Sequence, residues 1–219
     1  MLNELDKDLE RRGLPFVRYA DDSMIFCKSK RAAMRVKESV TRFIENALYL
    51  KVNKEKTVVS YVRGVKYLGY SFYVMKGKCQ LTVHPKSKAK MKSRLKELTS
   101  RSNGWGYAKR KQMLKEYIRG WVGYYHLANM KRLLLETDEW LRRRIRMCIW
   151  KAWKKVKTKV ANLIRCGINK YKAYEWGNTR KGYWRIADSY ILHRAITNEY
   201  LCRAGYATLM WAYLEWHPK

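Results

Sequence analysis

Asp21 and Asp22 are the side chains best suited by type and spacing to do chemistry. They sit between Phe16-Val17-Arg18-Tyr19-Ala20 and Ser23-Met24-Ile25-Phe26-Cys27, two short runs rich in β-branched and aromatic residues. Such runs around a tight acidic tip predict a β-hairpin that carries both carboxylates at its turn. Neighbouring side chains of a strand point to opposite faces, so a hairpin tip is one place where adjacent aspartates both reach a single solvent-filled site. Paired carboxylates facing phosphates suit Mg²⁺, which takes one or two carboxylates together with phosphate oxygens and water. Two such ions side by side activate a hydroxyl nucleophile and stabilise a leaving pyrophosphate. The plainer reading is a solvated acidic turn, and four residues do not separate the two.

The elements around this tip predict an α+β arrangement. Leu2, Leu5 and Leu9 fall on one face of a helix that Gly13 stops, and Pro15 leads into the hairpin. Ser29 is placed to cap a helix from Lys30 to about Leu48, with Ala33, Val36, Val40, Phe43, Ile44, Ala47 and Leu48 as its apolar stripe. A short strand over Lys56–Tyr61 is expected next. A stronger strand over Lys66–Tyr73 turns through Lys76-Gly77-Lys78 to pair with Cys79–Val83. From Pro85 the β signals vanish. Basic helices are expected over Lys86–Thr99 and Ala108–His126, and a third from Thr137 as N-cap to about Lys157. That third helix would pack by Leu141, Ile145, Cys148, Ala152 and Val156. It would turn Arg142, Arg143, Arg144, Arg146, Lys151, Lys154 and Lys155 outward. Shorter basic helices broken by glycines follow, so the expected divisions are 1–84, 85–157 and 158–219.

The chain holds 49 Lys+Arg against 18 Asp+Glu, a net charge of +31, with 9 Trp and 17 Tyr. The excess is uneven: 17 basic and 9 acidic residues precede Pro85, and 32 and 9 follow it. Positive charge on this scale repels itself unless a polyanion neutralises it, and the aromatics offer surfaces on which exposed bases stack. Nucleic acid is the partner this predicts. No apolar run approaches transmembrane length, and the acidic start Met1-Leu2-Asn3-Glu4-Leu5-Asp6 is unlike a signal peptide. Five scattered cysteines without a C-x-x-C pair fit reduced thiols in a cytoplasmic protein, and no zinc-binding spacing is present.

Taken in order, Tyr19-Ala20-Asp21-Asp22, then Asn53-Lys54-Glu55-Lys56-Thr57, then Tyr67-Leu68-Gly69-Tyr70 resemble the last blocks of reverse transcriptases. Gly120-Trp121-Val122-Gly123-Tyr124-Tyr125, Trp140-Leu141-Arg142-Arg143-Arg144-Ile145-Arg146 and Trp150-Lys151-Ala152-Trp153-Lys154 look like the maturase-specific thumb of group II intron-encoded proteins. The resemblance implies a partial right-hand polymerase palm followed by an all-helical thumb. It also implies roles: Asp21 as the ligand of both catalytic Mg²⁺ ions and Asp22 as its supporting neighbour. Tyr19 and Ala20 would lie beneath the nascent pair and the incoming nucleotide, Lys56 near the triphosphate, and Leu68, Gly69 and Tyr70 in the primer grip. A glycine at 69 suits close backbone approach to a sugar-phosphate, while a strand bulge at Gly69 and plain core aromatics at Tyr67 and Tyr70 are equally open.

The family's third carboxylate stands on an earlier palm strand, and nothing before Asp21 reads as that strand. The expectation is therefore the C-terminal part of a group II intron reverse transcriptase/maturase, with an incomplete two-metal site. Its implied partners are intron RNA, an RNA template with DNA primer, and an upstream fingers–palm polypeptide. Two functions stay open: contributing the Asp21–Asp22 hairpin to RNA-directed DNA synthesis, or binding intron RNA to assist splicing without chemistry of its own.

Overall fold

The computed structural model describes residues 2–218 and divides into two compact units, Met1–His84 and Pro85–Lys219. The first is α+β, with small antiparallel sheets, and the second is all helical.

In the first unit, α1 (Leu2–Arg11) buries Leu5 and Leu9. Gly13, at φ +63°, ends it: Leu14 N–H reaches back to the Leu9 carbonyl at 3.0 Å, the bond that a left-handed residue makes possible at a helix terminus. Pro15 opens the hairpin of β1 (Phe16–Tyr19) and β2 (Asp22–Ile25), which pair antiparallel with Tyr19 opposite Asp22. Helix α2 (Lys30–Asn46) starts as expected, the Ser29 hydroxyl accepting from Ala32 N–H at 3.2 Å. Leu5, Leu9 and Val40 form the buried centre, and Phe16, Ile25, Val36 and Phe43 pack against it half-buried.

Two strand expectations change. Lys56–Tyr61 forms no strand, because the Asn53 side chain accepts from Lys56 N–H while its carbonyl accepts from the Thr57 N–H and hydroxyl. These local bonds compete with a ladder and win. Lys66–Tyr73 is not one strand but two, β3 (Lys66–Tyr67) and β4 (Tyr70–Met75), joined by Leu68 and Gly69 at φ +49° and +81°. A second two-residue turn, Lys76 and Gly77 at φ +50° and +75°, joins β4 to β5 (Lys78–Val83). Positive φ at both central residues matches the twist of the flanking strands, which places a glycine second in each turn.

The second unit contains α3 (Pro85–Leu98), α4 (Tyr107–Tyr125), α5 (Lys131–Ala152), α6 (Val156–Arg165), α7 (Lys170–Gly177), α8 (Tyr183–Ile186), α9 (Tyr190–Ala195), α10 (Asn198–Arg203) and α11 (Leu209–Glu215). Helix α5 begins six residues before the expected cap. The Thr137 hydroxyl bonds back to the Leu133 carbonyl inside the helix at 2.6 Å, and buried Asp138 receives Leu209 N–H at 2.8 Å and Met210 N–H at 2.9 Å. Asp138 therefore caps α11 rather than its own helix. The helix also ends sooner, at Ala152, where Trp153 folds in and is buried. Glycine permits one close approach: a Cβ at Gly177 would meet Val160 Cγ2 at 2.8 Å, between α7 and α6.

The cores are unequal. Among the described residues the first unit buries only Leu5, Leu9, Val40 and Val83 as apolar side chains, and leaves Val17, Phe26, Met34, Val58 and Tyr61 exposed. Native-state hydrogen exchange should therefore release α1, α2 and both hairpins well before α4 and α5. Amides of β1 and β2 among the slowest in the chain would contradict this.

Candidate functional site

The hairpin turn consists of Ala20 and Asp21, with Asp22 the first residue of β2. Asp21, Asp22 and Tyr19 are all exposed. Ala20 sits at φ +53°, which costs a residue with a Cβ about 1–2 kcal/mol. Its support comes from Arg18: one guanidinium nitrogen donates to the Ala20 carbonyl at 3.0 Å, and two others grip both carboxylate oxygens of Asp6 on α1. Arg18 thus fastens the turn to the helix behind it. The sequence reading left Asp6 without a role, because the helical spacing says only that it faces away from Leu5 and Leu9.

Tyr67 is a second group the motif did not single out. Its hydroxyl is buried without a hydrogen-bond partner, and burial together with the nearby Asp22 carboxylate pushes its pKa up. Leu68 and Gly69 form the turn beyond it, and the Gly69 carbonyl accepts from His84 N–H at 3.0 Å. The bulge reading of Gly69 gives way to a turn. Tyr70 is half-buried and Lys56 is exposed on the turn that Asn53 organises.

Among the described residues, no three His, Cys, Asp or Glu side chains gather as a metal-binding group. Asp21 and Asp22 are two adjacent oxygen donors open to solvent, a donor set that fits Mg²⁺ when phosphate oxygens and water complete its shell.

The basic residues of the second unit correct the expected outward array. Arg146 is buried, its Nε donating to the Ile196 carbonyl at 2.8 Å and its Nη2 to Asn198 Oδ1 at 2.8 Å; burial pulls its pKa down. Arg144 binds the Thr99 hydroxyl at 2.6 Å and the Lys96 carbonyl at 3.0 Å, and Lys151 donates to the Arg101 carbonyl at 2.7 Å. Arg143 donates to the Trp184 carbonyl at 3.1 Å and pairs with Asp188 at 3.0 Å. Arg142 is half-buried beside Asp138. Helix α5 is surrounded by its neighbours, so a basic stripe becomes a set of internal donors. Lys154 and Lys155 lie in the short link before α6, not on α5, and are exposed. In the run Arg180-Lys181-Gly182-Tyr183-Trp184-Arg185, charge and aromatic rings interleave, a sequence signal for surface stacking.

The chain thus joins a unit with an exposed acidic hairpin to a basic helical unit. Residues 1–72 match the family "Reverse transcriptase (RNA-dependent DNA polymerase)", and residues 88–167 match "Group II intron, maturase-specific domain". The first unit is thus similar to reverse transcriptases, and the second to the maturase-specific domain of group II intron proteins. Among curated proteins, none matches it significantly. No helix among the described residues is long and apolar enough to cross a membrane.

Two predictions follow from the internal pairs. The hydrogen bonds from Arg18 hold the Asp6 carboxyl below its ordinary pKa, so the pair stabilises the fold above the ordinary aspartate range, about 3.9. That contribution is lost as pH falls through the lowered value. Asp138 has the opposite sign, because burial raises its pKa and protonation as pH falls favours the folded form. Acidification should unfasten α1 and the hairpin, read by exchange of their amides, before the fluorescence of the nine tryptophans changes, since every tryptophan lies beyond Pro85. A tryptophan signal that moves first would refute it. Separately, Arg146→Ala should lower stability by about 1–3 kcal/mol by leaving the Ile196 carbonyl unpaired. The Lys154→Ala, Lys155→Ala double variant should stay within about 0.5 kcal/mol of the parent in the same denaturant titration.

Proposed function

We propose that the second unit binds structured group II intron RNA to assist splicing, and that the Tyr19–Asp22 hairpin contributes to RNA-directed DNA synthesis. The observation that carries the reading is the coupling of an exposed, braced Asp21–Asp22 pair to a maturase-matched helical unit rich in exposed basic side chains. Asp21 and Asp22 would hold Mg²⁺, which when bound supplies charge stabilisation to a transferring phosphoryl group. Arg18 fixes the turn so that both carboxylates keep one geometry as phosphates approach. Tyr19, Ala20, Lys56, Leu68, Gly69 and Tyr70 take the nucleotide- and primer-facing roles that the family resemblance implies, and Lys154 and Lys155 are the exposed candidates for phosphate contact. In-line transfer needs carboxylates from two directions, and this hairpin supplies one. The polymerase role therefore also draws on a carboxylate from the fingers–palm part of the fold.

The test is primer extension on an RNA template beside filter binding at several salt concentrations, on the same samples. Log affinity should fall linearly with log salt, with a slope of about −0.9 per duplex phosphate contact, and the Lys154→Ala, Lys155→Ala variant should have the shallower slope. The chain alone should extend no primer, and a fingers–palm polypeptide of the same family should confer Mg²⁺-dependent synthesis. Asp21→Ala should abolish that synthesis with RNA affinity nearly unchanged. A salt-independent affinity would remove the binding role, and extension surviving Asp21→Ala would remove the hairpin from the metal site.

A further inference from the structure

An open cleft of about 350 Å³ in the second unit is lined by Ser100, Arg101, Ser102, Arg144, Met147 and Trp184. Its volume falls in the range that takes small organic ligands. No acidic residue lines it; two arginines and a tryptophan do, the Arg144 guanidinium being engaged with Thr99 and Lys96. Trp184 is 38 % exposed. The indole is also held in place: the Arg143 guanidinium lies 3.9 Å from the ring centroid and is itself fixed by the Trp184 carbonyl and Asp188. Across the cleft, Ser102 N–H donates to the Ser100 hydroxyl, and the Arg101 carbonyl takes the Lys151 ammonium. The Arg101 side chain is left on the surface, its guanidinium 5.2 Å from the Tyr183 ring centroid.

We propose that this cleft holds one unpaired RNA nucleotide, its base stacked on Trp184, its phosphate against Arg101, and its ribose 2′-hydroxyl within reach of the serine hydroxyls. The inference rests on the RNA-binding reading above and adds where, and in what state, a base is taken. A paired base inside an A-form helix cannot present its face to an indole, whereas loops and bulges splay their bases outward. Stacking on a pre-fixed ring also avoids much of the cost of ordering the side chain on binding. The hydroxyls favour ribose over deoxyribose, since the 2′-hydroxyl both donates and accepts.

The experiment uses the full chain with an RNA hairpin carrying 2-aminopurine in its loop, a fully paired RNA duplex of equal length, and the DNA hairpin of the same sequence. The parent should quench the loop fluorophore. Trp184→Ala should abolish the quenching and weaken loop binding roughly five- to a hundred-fold, as loss of one base–aromatic stack does, with duplex affinity unchanged. Trp184→Phe should keep most of the binding. Because removing the indole also frees Arg143, Arg101→Gln gives a second reading on a surface side chain: loop affinity should drop and its salt slope flatten, with the melting temperature retained. Unquenched fluorophore, or equal losses on loop and duplex, would overturn the cleft assignment and leave general RNA binding standing. Equal Trp184-dependent affinity for the DNA hairpin would overturn the RNA assignment. Failure of the parent to bind any RNA would instead overturn the reading on which the cleft depends.

Discussion

The second unit depends on charges that α5 carries inside the fold. Asp138 and Arg146 stand two turns apart on that helix, both almost fully buried, and neither pairs with the other. Each has its own partners: Asp138 the first amides of α11, and Arg146 the Ile196 carbonyl at the end of α9 and the Asn198 side chain. A buried charge satisfied in this way is costly to leave unpartnered, so two short helices have essentially one acceptable position against α5. Arg144 does the same for the end of α3, and Arg143 for α8. Helices of four to seven residues are too short to be stable alone. Here α8, α10 and α11 are held by side chains of the 22-residue α5.

The first unit is organised by a different constraint. Its hairpin must keep two carboxylates in solvent at a turn whose first residue is in a backbone region unfavourable to alanine. The strain is small, and Arg18 offsets it from one side by binding the Ala20 carbonyl and from the other by gripping Asp6. Strain of this kind persists only where surrounding structure fixes it, and it gathers at functional positions. The thin apolar core and the braced tip belong together: the geometry of the tip rests on a charge-assisted fork more than on packing.

Much of this was legible in the sequence. The hairpin, the Ser29 cap, the Gly13 stop and the loss of strand at Pro85 each have a local cause, so residue type and spacing suffice to find them. The exposed Asp21–Asp22 turn was legible for the same reason. What was not legible depends on partners distant in sequence. Thr137 has every mark of an N-cap, yet it lies inside α5, because Asp138 answers to α11 some seventy residues on. The arginines from Arg142 to Arg146 look like an exposed basic face until the later helices surround them. The break at Leu68 was missed on other grounds: a β-rich run suppressed the turn signal that Gly69 carries, and periodicity does not show where a strand reverses.

The buried arginines also change what the net charge of +31 means. Counterions are released only from phosphates that meet accessible cations, so Arg146 and the engaged nitrogens of Arg143 and Arg144 add to the formal charge without adding contacts. Their charge still acts at longer range, where salt screens it within about 8 Å at physiological ionic strength. The consequence is a division of labour along one basic stretch. Residues on α5 set the positions of the short helices and, through Arg143, fix the Trp184 indole. Exposed cations remain in the links, at Arg101, Lys154 and Lys155, and along α3 and α4, at Lys86, Lys90, Lys92, Lys115 and Arg119. The longest and most arginine-rich helix thus serves as the frame against which the short helices are positioned.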